Sequence, residues 1–215
     1  MLKVRGILVD LDGTLVDSRE AYYEAFKIAI KTIKAKNFDI RMAFEIPKRL
    51  EQNKPINDLI PEKTAGKFLE TYLKTYYGLT EKKTKMLPNV QKTLEKLSAK
   101  TRLALITMRY VPKENIIREL EKFGLAKYFN CVTTALDTSF PKPSPEALIK
   151  SAEQIEVEIG ECAVVGDSVA DVKAGKNAGA KTVAVLSGIF TREELEKEKP
   201  DLILNNINEL LKFIG

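Results

Sequence analysis

The sequence predicts an α/β fold: a Rossmann-like, doubly wound parallel sheet interrupted by an inserted α-helical domain. Three observations carry this. The short apolar runs Ile7–Val9, Leu103–Ile106 and Ala163–Val165 show no polar alternation, as expected of strands covered on both faces. From Pro88 onward such runs alternate with stretches of helical periodicity, the βα succession that calls for a parallel sheet with right-handed crossovers. Between the first run and the second, roughly 65 residues read as helix without a strand, which sets a helical domain directly after the first strand.

The first strand lies within Val4–Ser18 and ends in Asp10, Asp12 and Gly13, so two carboxylates sit at the carboxyl rim of a buried sheet, where open α/β sheets bind ligands. Carboxylates one residue apart point to opposite faces of a strand. They converge only if the chain leaves strand geometry, and Gly13 permits such a turn. A calcium loop of the EF-hand type starting at Asp10 would need glycine at its sixth position and glutamate at its twelfth; Leu15 and Ala21 stand there, which rejects that reading.

Ser18 is placed to cap a helix whose apolar positions Tyr22, Phe26, Ile30 and Ile33 recur at helical steps. Helices are expected around Ile40–Gln52 and Glu62–Tyr77, with Pro47, Pro55 and Pro61 as punctuation. The aromatic residues of this insert have the spacing of core packing. Lys48, Arg49 and Lys54 lie between proline-broken segments and could reach an anionic substrate, although a solvated face explains them as well. Beyond Pro88 the expected elements are a helix over Val90–Ala99, the strand Leu103–Ile106, a helix near Pro112–Phe123, a short strand Cys131–Thr134 and a helix Pro145–Gln154. The strand Ala163–Val165, a helix Asp171–Ala178, the strand Thr182–Leu186 and closing segments around Leu202–Leu204 and Ile207–Phe213 complete the chain.

At 215 residues the chain suits one core domain with a smaller appendage, and 44% hydrophobic residues suffice for a sizeable core. No segment approaches about 18 uninterrupted apolar residues, so a cytoplasmic protein without a membrane partner is expected. Cys131 and Cys162 lack further ligands at metal spacing and read as buried free thiols. The net charge of +5 does not indicate nucleic acid, because the lysines interleave with glutamates along helices instead of clustering. Abundant Lys and Glu also match a heat-adapted composition. With no histidine in the chain, any general acid or base must be a carboxylate, lysine, tyrosine or cysteine.

Three further pieces follow the aspartate pair at the ends of later strands. Thr107, with Met108 and Arg109, offers a hydroxyl and backbone N–H groups able to hold phosphoryl oxygens. Lys142 is fixed between Pro141 and Pro143, which removes the freedom a surface lysine ordinarily keeps. Gly166-Asp167-Ser168-Val169-Ala170-Asp171 sets Asp167 at a strand end, Ser168 as a helix cap and Asp171 four residues from Asp167.

In this order, Asp10-Leu11-Asp12-Gly13-Thr14-Leu15-Val16-Asp17-Ser18, Thr107, the proline-framed Lys142 and Gly166–Asp171 resemble the four motifs of the haloacid dehalogenase superfamily, the aspartate-nucleophile phosphohydrolases, in the branch of phosphoglycolate phosphatase and β-phosphoglucomutase. The resemblance implies a core domain of residues 1–15 and 86–215 and a helical cap of residues 16–85. It implies Asp10 as nucleophile and Asp12 as general acid and base. Mg²⁺ would be held by Asp10, the Asp12 carbonyl and Asp167 with support from Asp171, and Thr107, Met108, Arg109 and Lys142 would bind the phosphoryl group. Asp12 sets the chain apart from the metal-free dehalogenases, and the absence of histidine counts against a hexose-phosphate mutase. Arg109, two residues after Thr107, would suit a small carboxylated ester as a second cation. Phosphoglycolate is the leading substrate, followed by pyrophosphate and small phosphosugars. A non-catalytic Mg²⁺ and phosphate-binding subunit is the competing class, and a monomer or homodimer acting on a small phosphorylated metabolite is expected.

Overall fold

A computed structural model describes residues 1–35 and 38–214. The strands are β1 (Gly6–Val9), β2 (Val16–Asp17), β3 (Lys85–Met86), β4 (Arg102–Ile106), β5 (Cys131–Thr133), β6 (Cys162–Gly166), β7 (Lys181–Val185) and β8 (Leu202–Leu204). The helices are α1 (Arg19–Thr32), α2 (Met42–Glu51), α3 (Glu62–Lys83), α4 (Val90–Ser98), α5 (Lys113–Lys122), α6 (Glu146–Gln154), α7 (Val169–Ala178) and α8 (Arg192–Glu196). The chain divides into two compact units, one of Met1–Val16 and Met86–Gly215, the other of Asp17–Lys85.

In the first unit six strands form one parallel sheet in the order β5-β4-β1-β6-β7-β8. Numbered along the chain, these six run 3-2-1-4-5-6, so the strand order reverses between β1 and β6. Alternate residues of the central strands feed two separate cores. Ile7, Val9, Leu103, Leu105 and Val165 pack with Leu94 and Leu120, while Leu8, Ala104, Ile106 and Val164 pack with Leu148 and Ala152. Burial on both sides explains why these strands read as unbroken apolar runs. No described helix is long and apolar enough to cross a membrane.

The second unit is built from α1, α2 and α3, and its aromatic residues are core: Phe26, Phe68 and Tyr72 are buried and the Tyr22 and Tyr76 rings stack with centroids 4.9 Å apart. The sequence reading departs from the structure at four places in and around this unit. Two strands lie between β1 and β4 after all, β2 and β3, which pair as a two-stranded sheet. Pro47 does not punctuate α2 but lies inside it, the lost backbone donor being offset by burial of Ile46 and Pro47 itself. Helix α3 continues past Tyr77 to Lys83 because Thr80 is buried on the same side as Tyr72 and Tyr76. Ser18 occupies the N-cap position of α1 without a capping side-chain bond; the Asp17 carboxylate accepts from the Arg19 N–H instead, at 3.0 Å. Both cysteines are free thiols, Cys162 buried and Cys131 only half-buried.

Candidate active site

The site lies at the carboxyl rim of the sheet, at the reversal between β1 and β6. The Asp10 N–H still donates to the Val165 carbonyl, at 2.9 Å, which fixes this residue one step beyond β1. The chain then turns sharply: the N–H groups of Thr14, Leu15 and Val16 all donate to the Leu11 carbonyl, at 3.3, 2.9 and 3.1 Å. Gly13 takes the left-handed region in this turn, with φ of 81°.

Strand β6 ends at Gly166 and delivers Asp167, and the following helix starts on a capping box. The Asp171 N–H donates to Ser168 Oγ at 3.1 Å, and Asp171 Oδ2 accepts from the Ser168 N–H and hydroxyl at 3.1 and 2.6 Å. One oxygen of Asp171 thus serves the helix cap, and the other, Oδ1, accepts from Lys142 Nζ at 2.5 Å. Lys142 Nζ also donates to Asp10 Oδ1 at 2.7 Å. The lysine is 3% exposed, held in a loop whose Ser139 and Phe140 N–H groups are tied to Glu146.

Asp10, Asp167 and Asp171 each offer an oxygen within 4.8 Å of the others, and all three are buried. The backbone makes room for this crowding. An added Cβ would lie 1.6 Å from Asp167 Oδ2 at Gly188 and 2.5 Å from it at Gly13, so only glycine fits against that carboxylate. Thr14 Oγ1 donates to Asp167 Oδ1 at 3.4 Å, and Ser187 Oγ donates to the Gly13 carbonyl at 2.7 Å.

Burial pushes the Asp10 carboxyl up to about 8; the Lys142 charge opposes this, and the Asp171 and Asp12 charges add to it. Burial acts to lower Lys142, but the charges of Asp10 and Asp171 outweigh it and hold the ammonium protonated, well above its ordinary range. One ammonium does not balance three buried carboxylates. The excess of oxygen donors and negative charge is what a hard divalent cation requires.

Asp12 faces a different partner. Arg109 grips it in a bidentate pair, Nε to Oδ2 at 2.7 Å and Nη2 to Oδ1 at 2.6 Å. The guanidinium, 3% exposed, is also held by Glu119 of α5 through Nη1. Arg109, the expected second cation for substrate, thus pairs with two carboxylates in this structure. Thr107 is buried at the end of β4. Its N–H donates to the Thr133 carbonyl at 3.0 Å, and its hydroxyl accepts from the Arg109 N–H at 3.2 Å. Of the expected N–H group donors, only that of half-buried Met108 has no protein partner among the described residues.

In the helical unit, Lys48 is half-buried and Lys54 exposed. Arg49 is the third expected contact there: Nε donates to Glu45 at 2.9 Å, and Nη1 donates to the Pro55 carbonyl at 3.1 Å and to Asp58. It braces α2 against the segment that follows. Thr14, Glu119, Ser187 and Gly188 were not legible as site residues. The one available signal was Glu119, a charge set on the apolar face of α5 with Ile116 and Leu120.

The model of the haloacid dehalogenase-like hydrolases matches residues 7–185, a span that contains every one of these core-unit groups except Ser187 and Gly188. The chain belongs to that family. It is 31% identical over 236 residues to the phosphoglycolate phosphatase of Escherichia coli strain K12, covering 99% of this chain and 93% of the relative. It is 31% identical over 218 residues to a protein of Caldanaerobacter subterraneus subsp. tengcongensis provisionally named the pyrophosphatase PpaX, covering 99% and 96%. A haloacid dehalogenase-like family hydrolase from Streptococcus pneumoniae shares the fold with a TM-score of 0.84 at 19% identity, over 99% of both chains. The chain is accordingly an enzyme of the hydrolase class, on the phosphatase branch of the haloacid dehalogenase-like family.

Proposed function

We propose that the protein is a Mg²⁺-dependent phosphohydrolase that cleaves a small phosphate monoester through an aspartyl-phosphate on Asp10. The observation that carries this reading is the buried cluster in which Lys142 bridges Asp10 and Asp171, with Asp167 alongside. The donor set fits Mg²⁺: all oxygen, mostly carboxylate, and short of positive charge. Asp10, Asp167 and the Asp12 carbonyl would hold the ion, with Asp171 in support. When bound, it would neutralise the nucleophile and the incoming phosphate and polarise the phosphoryl oxygens.

Asp10 attacks phosphorus, forming an Oδ–P bond as the ester P–O bond breaks. Asp12 gives a proton to the leaving oxygen and then takes one from the water that attacks the aspartyl-phosphate, which releases inorganic phosphate and restores Asp10. Lys142, the Thr107 hydroxyl and the Met108 N–H bind the phosphoryl oxygens. The helical unit acts as the cap that recognises the leaving group, with Lys48 and Lys54 the cations it offers.

Phosphoglycolate remains the leading substrate, supported by the relative named phosphoglycolate phosphatase. Pyrophosphate is the second reading, supported by an equally similar relative. Release of phosphate from phosphoglycolate, pyrophosphate, small phosphosugars and p-nitrophenyl phosphate, each with Mg²⁺ and with EDTA, tests the proposal. Mg²⁺-dependent turnover with phosphoglycolate at the highest kcat/KM is expected; no turnover on any ester would overturn it in favour of a binding subunit.

A further inference from the structure

Glu119 is 4% exposed and sits on the apolar face of α5, a place where an unpaired carboxylate would be costly. What it meets is Arg109, whose Nη1 and Nη2 reach both of its oxygens while Nε and Nη2 hold both oxygens of Asp12. A single buried guanidinium therefore serves two carboxylates at once. With both oxygens accepting from the guanidinium, the ionised form of Asp12 is favoured, the form that has no proton to give a leaving group. Giving up one of those contacts favours the protonated acid. Releasing a buried guanidinium from its counter-ion is expensive unless another carboxylate retains it.

We propose that Glu119 is a positioning residue for the acid step: it retains Arg109, so that Asp12 is held in register by the guanidinium between turnovers and can leave it for the substrate without stranding a buried cation. The role rests on the phosphohydrolase reading and deepens it. In the step concerned, the proton on the Asp12 carboxyl passes to the leaving oxygen as the P–O bond breaks and the Asp10 Oδ–P bond forms. Arg109 stays on Glu119 throughout.

Glu119→Gln preserves shape and removes the charge, leaving Asp12 to neutralise Arg109. The test measures kcat/KM, which reports the steps through leaving-group departure, for the wild type and the variant over a series of substituted phenyl phosphates of similar size. A p-nitrophenolate departs without a proton, whereas unsubstituted phenolate needs one. The variant should lose less than about 3-fold on p-nitrophenyl phosphate and about 10–100-fold on phenyl phosphate, a part of the usual contribution of general acid catalysis. The ratio of the two losses does not depend on how much of the variant is folded. Glu119→Asp, which restores the charge, should recover part of the phenyl phosphate activity. Equal losses along the series, or none, would overturn the role of Glu119 while leaving the phosphohydrolase reading intact. A wild type inert on the whole series would instead overturn that reading.

Discussion

Replacing Lys142 with methionine removes the ammonium from the centre of the candidate site while keeping most of its volume. In the structure Nζ lies 2.7 Å from Asp10 Oδ1 and 2.5 Å from Asp171 Oδ1, and the three side chains are 3%, 11% and 3% exposed. The variant would leave three buried carboxylates facing one another. Deleting one partner of a buried ion pair costs about 3–5 kcal/mol. For a chain of this length that corresponds to a Tm lower by roughly 6–20 °C. The expectation applies to thermal unfolding in EDTA, followed by circular dichroism. Mg²⁺ should raise the Tm of the variant more than that of the wild type, because a cation then replaces the missing ammonium. Turnover of p-nitrophenyl phosphate at saturating Mg²⁺ should fall by about 10²–10³, the usual loss for one preorganised donor on a charged transition state. A variant that melts within about 2 °C of the wild type and keeps more than a tenth of its turnover would refute both the counter-ion and the phosphoryl-binding roles.

Gly188→Ala would put a Cβ 1.6 Å from Asp167 Oδ2 and force that carboxylate aside, so turnover should drop by about 10²-fold and the Mg²⁺ requirement rise; an unchanged Mg²⁺ activation curve would show that Asp167 does not hold the ion. In EDTA, stability should fall as pH rises from about 5 to 8. Over that range folded Asp10, pushed up to about 8, keeps a proton that the unfolded chain, near 3.8, has released. The slope should vanish in Asp10→Asn and flatten with Mg²⁺; a slope of the opposite sign, compared with Asp10→Asn, would contradict the assignment. Arg49→Ala, which unties Glu45 and Asp58 at a largely solvated site, should lower the Tm by about 2–4 °C and change kcat/KM equally little for phosphoglycolate and p-nitrophenyl phosphate. A selective loss on phosphoglycolate would return Arg49 to substrate recognition.

The core sheet was legible because strands buried on both faces leave unbroken apolar runs, and each run ends at a chemically distinctive residue: Asp10, Thr107 or Asp167. The paired strands β2 and β3 were not, since two residues carry no periodicity. Pro47 and the far end of α3 misled for one reason: local breaker signals gave way to tertiary burial of Ile46 and Thr80. In the site, Lys142 was legible from its proline frame, whereas the partners of Arg109 were not. Nothing in the spacing of Asp12, Arg109 and Glu119 announces that a turn after β1, a loop after β4 and the face of α5 meet. Gly188 escaped for a related reason: its value lies in the absent Cβ beside Asp167, and only the assembled rim reveals that contact.

In the proposed reaction Asp10 carries the phosphoryl group. The most direct measurement is rapid acid quenching of the enzyme during turnover of p-nitrophenyl phosphate with Mg²⁺, followed by proteolysis at low pH and mass spectrometry of the peptide spanning β1 and the turn after it. A phosphoryl group on Asp10, absent without substrate and absent in Asp10→Asn, is the expected result. Rapid turnover with no phosphorylated peptide at any quench time, or a phosphoryl group on another residue, would rule out Asp10 as the nucleophile.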